Sequence, residues 1–143
     1  MNANYTFSTD KMKLDIKVIH DFLSQSYWSK DIPIEIVKRS IENSLCFGVY
    51  LNDKQVGFAR VISDNATFGY LADVFIVEEH RGKGLSKQLM QEIVSHPKLQ
   101  GLRRFCLGTK DAHKLYEQFG FTLIKSPERF MEILHSDFYT KKV

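Results

Sequence analysis

The chain has 143 residues, 43% of them hydrophobic and 26% charged, proportions that suit one folded domain spanning 1–143 and make a second domain unexpected. Lys and Arg outnumber Asp and Glu by 20 to 17, too small an excess for a nucleic-acid footprint, though compatible with a small anionic ligand. The N-terminal stretch MNANYTFSTDKMKLDIKV has no apolar signal core, and no apolar run reaches the ~18 residues of a membrane span, so the expectation is a cytoplasmic protein without nucleic-acid or membrane partners.

In chain order, Tyr5 to Ser8 read as a short edge strand. A helical face comes next, with Leu14, Val18, Ile19, Phe22 and Leu23 in register. Asp31 and Pro33 announce a second helix carrying Ile34, Val37, Ile41 and Leu45, and the polar, aromatic SQSYWSKDIP joins the two. LCFGVYL is a strand, NDK a tight turn and QVGFARVIS its antiparallel partner. A turn at Asp64-Asn65 leads into TFGYLADVFIV, long and apolar enough for a central strand. From Gly84 to His96 the apolar spacing of Leu85, Leu89, Ile93 and Val94 predicts a helix ended by Pro97. RRFCLG is a short buried strand, Thr109 and Asp111 are candidate caps, and AHKLYEQF is a two-turn helix closed by Gly120. FTLIK and RFMEIL are expected as two final strands. Strands first joined by turns and then separated by helices indicate an α+β domain with a mixed sheet.

Cys46 and Cys106 lie in apolar runs without metal-ligand spacing and read as buried reduced thiols. His20, His80, His96, His113 and His135 are scattered, so no metal is expected. HRGKGLSKQL, from His80 to Leu89, carries more chemistry. Gly82 and Gly84 allow close backbone approach and positive φ between strand and helix, Arg81 and Lys83 add charge, and a helix N-terminus favours an anion. Position 87 is Lys87, so a dinucleotide fingerprint fails, and no G-x-x-x-x-G-K-[ST] is present.

What remains, Arg81, Gly84 and the small Ser86 after a long apolar strand, resembles the phosphate-binding segment of the GNAT superfamily of acyl-CoA-dependent N-acetyltransferases. Ser86 stands where that family has Gly or Ala. A second segment, TKDAHKLYEQFGF, is similar to the family's later motif at Ala112, Leu115, Tyr116, Phe119, Gly120 and Phe121, with Thr109 where Asn is usual. The resemblance runs from about Leu45 to Leu134. It implies the GNAT fold, a mixed, mostly antiparallel central sheet with splayed strands flanked by helices, and acetyl-CoA as co-substrate.

The same resemblance implies roles. Main-chain groups of Phe75, Ile76 and Val77 would pair with the pantetheine arm as with an added strand. The N–H groups of Arg81, Gly82, Lys83, Gly84, Leu85 and Ser86 would receive the pyrophosphate, with Thr109 near the arm. A backbone N–H near Ile76 would serve the oxyanion, and Tyr116 would donate a proton to sulfur. Asp73 interrupts an apolar strand, where a carboxylate is costly unless paired or open to a cleft. It is either a base or substrate anchor, or the partner of Arg60 in a salt bridge. Tyr27 and Trp28, with the strand edge at Arg60, fall in the family's variable acceptor region. The implied activity is acetyl transfer to a primary amine of a small molecule or peptide by direct attack. The competing reading is a non-catalytic acyl-CoA-binding or protein-interaction domain. Homodimers are common in that superfamily, and these residues themselves leave the oligomeric state open.

Overall fold

The computed structural model describes residues 4–140; Met1–Ala3 of the N-terminal stretch and residues 141–143 lie outside the described residues. Strands β1 (Tyr5–Ser8), β2 (Leu45–Leu51), β3 (Lys54–Ser63), β4 (Phe68–Ile76) and β5 (Arg104–Leu107) form one sheet in sequential order. The first four pair antiparallel, and β4 pairs parallel with β5. Helices α1 (Ile16–Leu23) and α2 (Ile34–Glu42) fill the first crossover, α3 (Leu85–Val94) the second, and the short α4 (His113–Glu117) follows β5.

The helices form where the apolar spacing predicts them. Asp15 caps α1 by accepting from the backbone N–H of Lys17 and Val18, and Pro33 precedes α2. That helix stops at Glu42, so Leu45 belongs to β2. Strand alternation then divides the core in two. Cys46, Phe58 and Phe75 pack against Ile19, Leu23, Val37 and Ile41 of α1 and α2, whereas Val49, Val61 and Leu71 pack against Leu85, Leu89, Met90 and Ile93 of α3. Each fully buried aliphatic side chain contributes about 1.5–3 kcal/mol, which fixes the sheet between two helical layers.

The far end of β4 departs from the regular ladder on both of its sides. Its pairing with β5 covers only Phe68–Leu71, opposite Arg104–Leu107, while the strand continues to Ile76. The two parallel strands therefore part company and leave one edge of β4 uncovered. Against β3 the register shifts between Phe58 and Arg60, and across that bulge Asp73 adopts φ 56°. A non-glycine residue held there costs roughly 1–2 kcal/mol.

The two final strands do not form. Residues 121–125 and 130–134 carry no strand structure, and a 3-10 turn at Pro127–Arg129 separates them. Proline fixes the chain's direction at that turn, and β5 has no hydrogen-bonded partner on its outer side among the described residues. Apolar patterning alone makes no strand without a partner edge. No helix among the described residues is long and apolar enough to cross a membrane.

Candidate active site

The site gathers where β4 runs out. The N–H of Val77 donates to the Val56 carbonyl at 2.9 Å and its carbonyl accepts from the His80 N–H at 3.0 Å. Alternation along the strand turns Ile76 the opposite way, toward the edge that β5 leaves uncovered. The Ile76 carbonyl accepts from Arg81 Nε at 2.9 Å, so the arginine locks the turn at the end of the strand. Both main-chain groups of Val77 are thus engaged within the chain. Phe75 is paired across to Phe58, and its buried ring stacks on Phe22 at 4.0 Å between centroids.

Beyond this turn Gly82 and Gly84 have φ of 79° and 77°, and a Cβ built on either meets nothing within 4 Å. Their requirement is conformational, and the space above the loop is open. Gly84 stands at the N-cap of α3, and Leu85 enters the core. The N–H groups of the first helical turn have no intrahelical acceptor. They face a cleft of about 320 Å³ lined by Ile76, His80, Arg81, Gly84, Ser86 and Leu115. His80 Nδ1 also meets the Tyr5 hydroxyl at 2.7 Å, which ties the loop to β1, 75 residues away. Helix-start N–H groups, glycines and adjacent cationic side chains are the combination that suits an anion.

Tyr116 comes from α4. Ala112 begins that helix without a side-chain cap of its own, and its N–H donates to Thr109 Oγ1 at 3.1 Å. The exit uses Gly120 at φ 95°, with the Phe121 N–H reaching back to the Tyr116 carbonyl at 3.3 Å. The Tyr116 ring is 8% exposed and meets Phe121 edge-on. Burial, and secondarily the charge that Tyr27 would carry, push its phenol above the ordinary tyrosine range. It shares a larger cleft, about 670 Å³, with Thr109, His113 and β5.

At the bulge of β4, Asp73 is committed at both oxygens. Arg60 Nε donates to Oδ2 at 2.9 Å and Trp28 Nε1 donates to Oδ1 at 2.8 Å. Arg60 Nη1 continues to Ser44 Oγ at 3.0 Å. The ion pair is largely enclosed, with the Asp73 and Arg60 side chains 7% and 15% exposed. Of the two readings of Asp73, the geometry contains the salt bridge with Arg60. Tyr27 meets Trp28 edge-on at 5.1 Å and carries the Lys110 ammonium 5.2 Å over its ring. The loop between α1 and α2 therefore closes on both the bulge and the segment leading to Tyr116.

Sequence reasoning did not find Ser44, the Tyr5–His80 bond or the Arg81–Ile76 bond. Each joins residues without a shared motif, and only the folded chain brings them together. Cys46 is buried and Cys106 half-buried, and both are free thiols. Among the described residues no cluster of His, Cys, Asp or Glu has metal-binding geometry.

Comparison with known proteins gives this arrangement its context. The sequence profile of the acetyltransferase (GNAT) family matches residues 16–121. A protein of Gibberella zeae that bears an acetyltransferase name is 34% identical, over 80% of this chain and 76% of its own. A crystal structure of a protein from Xanthomonas campestris pv. campestris, described as belonging to the GNAT family, superposes with a TM-score of 0.94 at 53% identity. That match covers 96% of this chain and 97% of the other. A GNAT family acetyltransferase from Elizabethkingia anophelis with acetyl-CoA bound shares the fold at 15% identity, with a TM-score of 0.65 over 93% and 90% of the two chains. With the profile covering most of the chain and the uncovered β4 edge leading into a glycine turn at a helix start, this chain belongs to the GNAT family of acetyltransferases.

Proposed function

We propose that the chain transfers an acetyl group from acetyl-CoA to a primary amine by direct attack within a ternary complex. One observation carries the reading: the uncovered edge of β4 leads through a single 3-10 turn at Glu78–His80 into the Gly82–Gly84 turn and the start of α3, with Tyr116 on the helix that follows β5. A ligand fitting that line has an extended, amide-bearing arm and an anionic tail. Acetyl-CoA has both, and it supplies an acyl group on a thiolate leaving group.

In this reading Ile76 offers its main-chain N–H to the oxygen that gains charge during transfer. The first turn of α3 and the Arg81 side chain hold the pyrophosphate, and Thr109 flanks the arm. Tyr116, like any tyrosine, holds its proton at neutral pH, burial raises its phenol further, and it donates toward the departing sulfur. An ordinary phenol near ~10 and a thiol near ~8.5 make complete transfer uphill by about 2 kcal/mol, so the hydroxyl acts mainly through a hydrogen bond to developing charge.

Asp73 acts as a positioning residue. It holds the bulge through Arg60 and the acceptor loop through Trp28, and the ammonium proton leaves to water in the open cleft. Tyr27 and Trp28 form the apolar wall against which the acceptor lies. Lys110 over Tyr27 makes that wall locally cationic, so an acceptor carrying a carboxylate as well as its amine suits it better than a polycation.

The test is release of free thiol from acetyl-CoA with a panel of amino acids, polyamines, aminoglycosides and lysine peptides. Turnover with one amine class supports the reading. Thermal stabilisation by CoA without turnover on any amine would identify an acyl-CoA-binding domain, and no stabilisation would remove both.

A further inference from the structure

The 3-10 turn Glu78–His80 sorts its side chains between two directions. Glu78 and Glu79 are exposed and stand outside the cleft at the start of α3, whereas His80 is half-buried and lines it beside Arg81, Gly84 and Ser86. Carboxylates would repel an anion held there. The turn removes them and offers an imidazole instead.

Tyr5 decides which ring nitrogen bears the proton. Its hydroxyl stands 2.7 Å from His80 Nδ1, with the two rings edge-on at 83° and their centroids 5.8 Å apart. That separation matches an O–H donor, since an N–H donor to oxygen settles nearer ~2.9–3.0 Å. The phenol is also the more acidic partner and the imidazole nitrogen the more basic, so the hydroxyl donates and Nδ1 accepts. An imidazole that accepts at Nδ1 carries its own proton on Nε2. Tyr5 is not among the residues lining the cleft, so Nδ1 is turned away from it, and Nε2–H across the ring is the donor left for it. The backbone N–H of His80 already donates to the Val77 carbonyl at 3.0 Å, and Arg81 Nε to the Ile76 carbonyl.

We propose that His80 Nε2–H donates to a pyrophosphate oxygen of the cofactor, and that Tyr5 is the positioning residue that fixes the donating tautomer. The proposal rests on acetyl-CoA occupying this cleft, and it adds a side-chain donor to the backbone N–H groups. An unrestrained histidine divides its proton between two nitrogens and its ring among rotamers. Held by β1, it presents one donor in one direction before the ligand arrives, which lowers the ordering cost of binding. A hydrogen bond to a charged oxygen is roughly twice as strong as one between neutral groups. β1 lies outside the segments that resemble the family's motifs, and it reaches the cofactor site through this bond.

Calorimetric titration of CoA into the full chain tests it, beside His80→Leu, His80→Gln and Tyr5→Phe, with Tm recorded for each. Glutamine places an amide N–H near the position of Nε2. The expected result is a CoA Kd raised roughly tenfold in His80→Leu, largely recovered in His80→Gln, and raised severalfold in Tyr5→Phe. Long-range nitrogen-15 spectra of the ring give a signature that a mere staple between strand and turn would not move. In mildly alkaline buffer, wild-type His80 shows a bare Nδ1 and a protonated Nε2, and Tyr5→Phe shows both tautomers. An unchanged Kd in folded His80→Leu or Tyr5→Phe, whatever their Tm, or a protonated Nδ1 in the wild type, overturns the proposal. A wild type that binds no CoA overturns the acetyl-CoA reading and this role with it, a result distinct from CoA binding that the variants leave untouched.

Discussion

Trp28 and Asp73, 45 residues apart, are joined by a 2.8 Å hydrogen bond from the indole Nε1 to the carboxylate Oδ1, and this bond fastens the loop between α1 and α2 to the bulge of β4. Trp28→Phe keeps an aromatic ring but removes the donor. We expect a loss of about 1 kcal/mol of stability, a raised acceptor KM and unchanged CoA affinity. Kinetics with each substrate varied in turn check this. A change confined to CoA would show that the loop serves the cofactor instead.

Asp73→Asn separates positioning from proton transfer. Asparagine tolerates the left-handed conformation at φ 56° and can still accept from Trp28, but it leaves the enclosed Arg60 without a counter-charge. Breaking a buried pair at one partner costs about 3 kcal/mol. The expected outcome is a lowered Tm with turnover retained and the acid limb of its pH profile in place. Disappearance of that limb would make the carboxylate the base.

For Tyr116→Phe the expectation is a kcat lowered about 100-fold, with CoA affinity and Tm little changed, since the ring and its contact with Phe121 persist. Because burial raises the phenol, no alkaline limb below the ordinary tyrosine value of ~10 belongs to Tyr116. A wild-type limb near neutrality that survives in the variant would be consistent with this, whereas one that vanishes would reassign it to the tyrosine.

Much of the fold was legible in the sequence, for physical reasons that differ by element. The apolar spacing of Leu85, Leu89 and Ile93 and the glycines before it specify α3 locally, because helix periodicity and positive-φ turns need no distant partner. The ladder of β2, β3 and β4 follows from alternation and short turns. The surroundings of Asp73 were not readable. Nothing near Asp73 in sequence announces Trp28, and the choice between a free carboxylate and the pair with Arg60 rests on the bulge that brings them together. FTLIK and RFMEIL have strand composition, yet a strand is a relation between two edges, and Pro127 with its turn keeps these segments from supplying one another.

Burial also gives the core an alkaline weakness. It pushes the Cys46 thiol up from about 9 to about 11 and the Tyr50 phenol to about 12. A native state that keeps its protons longer than the unfolded chain is fully stabilised by them below the unfolded values and loses that advantage as pH rises through the folded ones. For Cys46 the window is about pH 9 to 11, and its contribution is at most about 3 kcal/mol. Thermal melts across this range should show Tm falling more steeply in the wild type than in Cys46→Ala. Equal slopes would mean that the thiol does not titrate on unfolding.

The central claim is that acetyl-CoA lies along the uncovered edge of β4 with its pyrophosphate on the turn before α3, and residue-resolved amide exchange with and without CoA tests it most directly. The prediction is added protection at Ile76 and across residues 82–86, lost in Gly84→Ala, whose left-handed backbone resists a side chain at a cost of about 1–2 kcal/mol. CoA binding that leaves those amides unprotected, or protects another surface of the sheet, would contradict it.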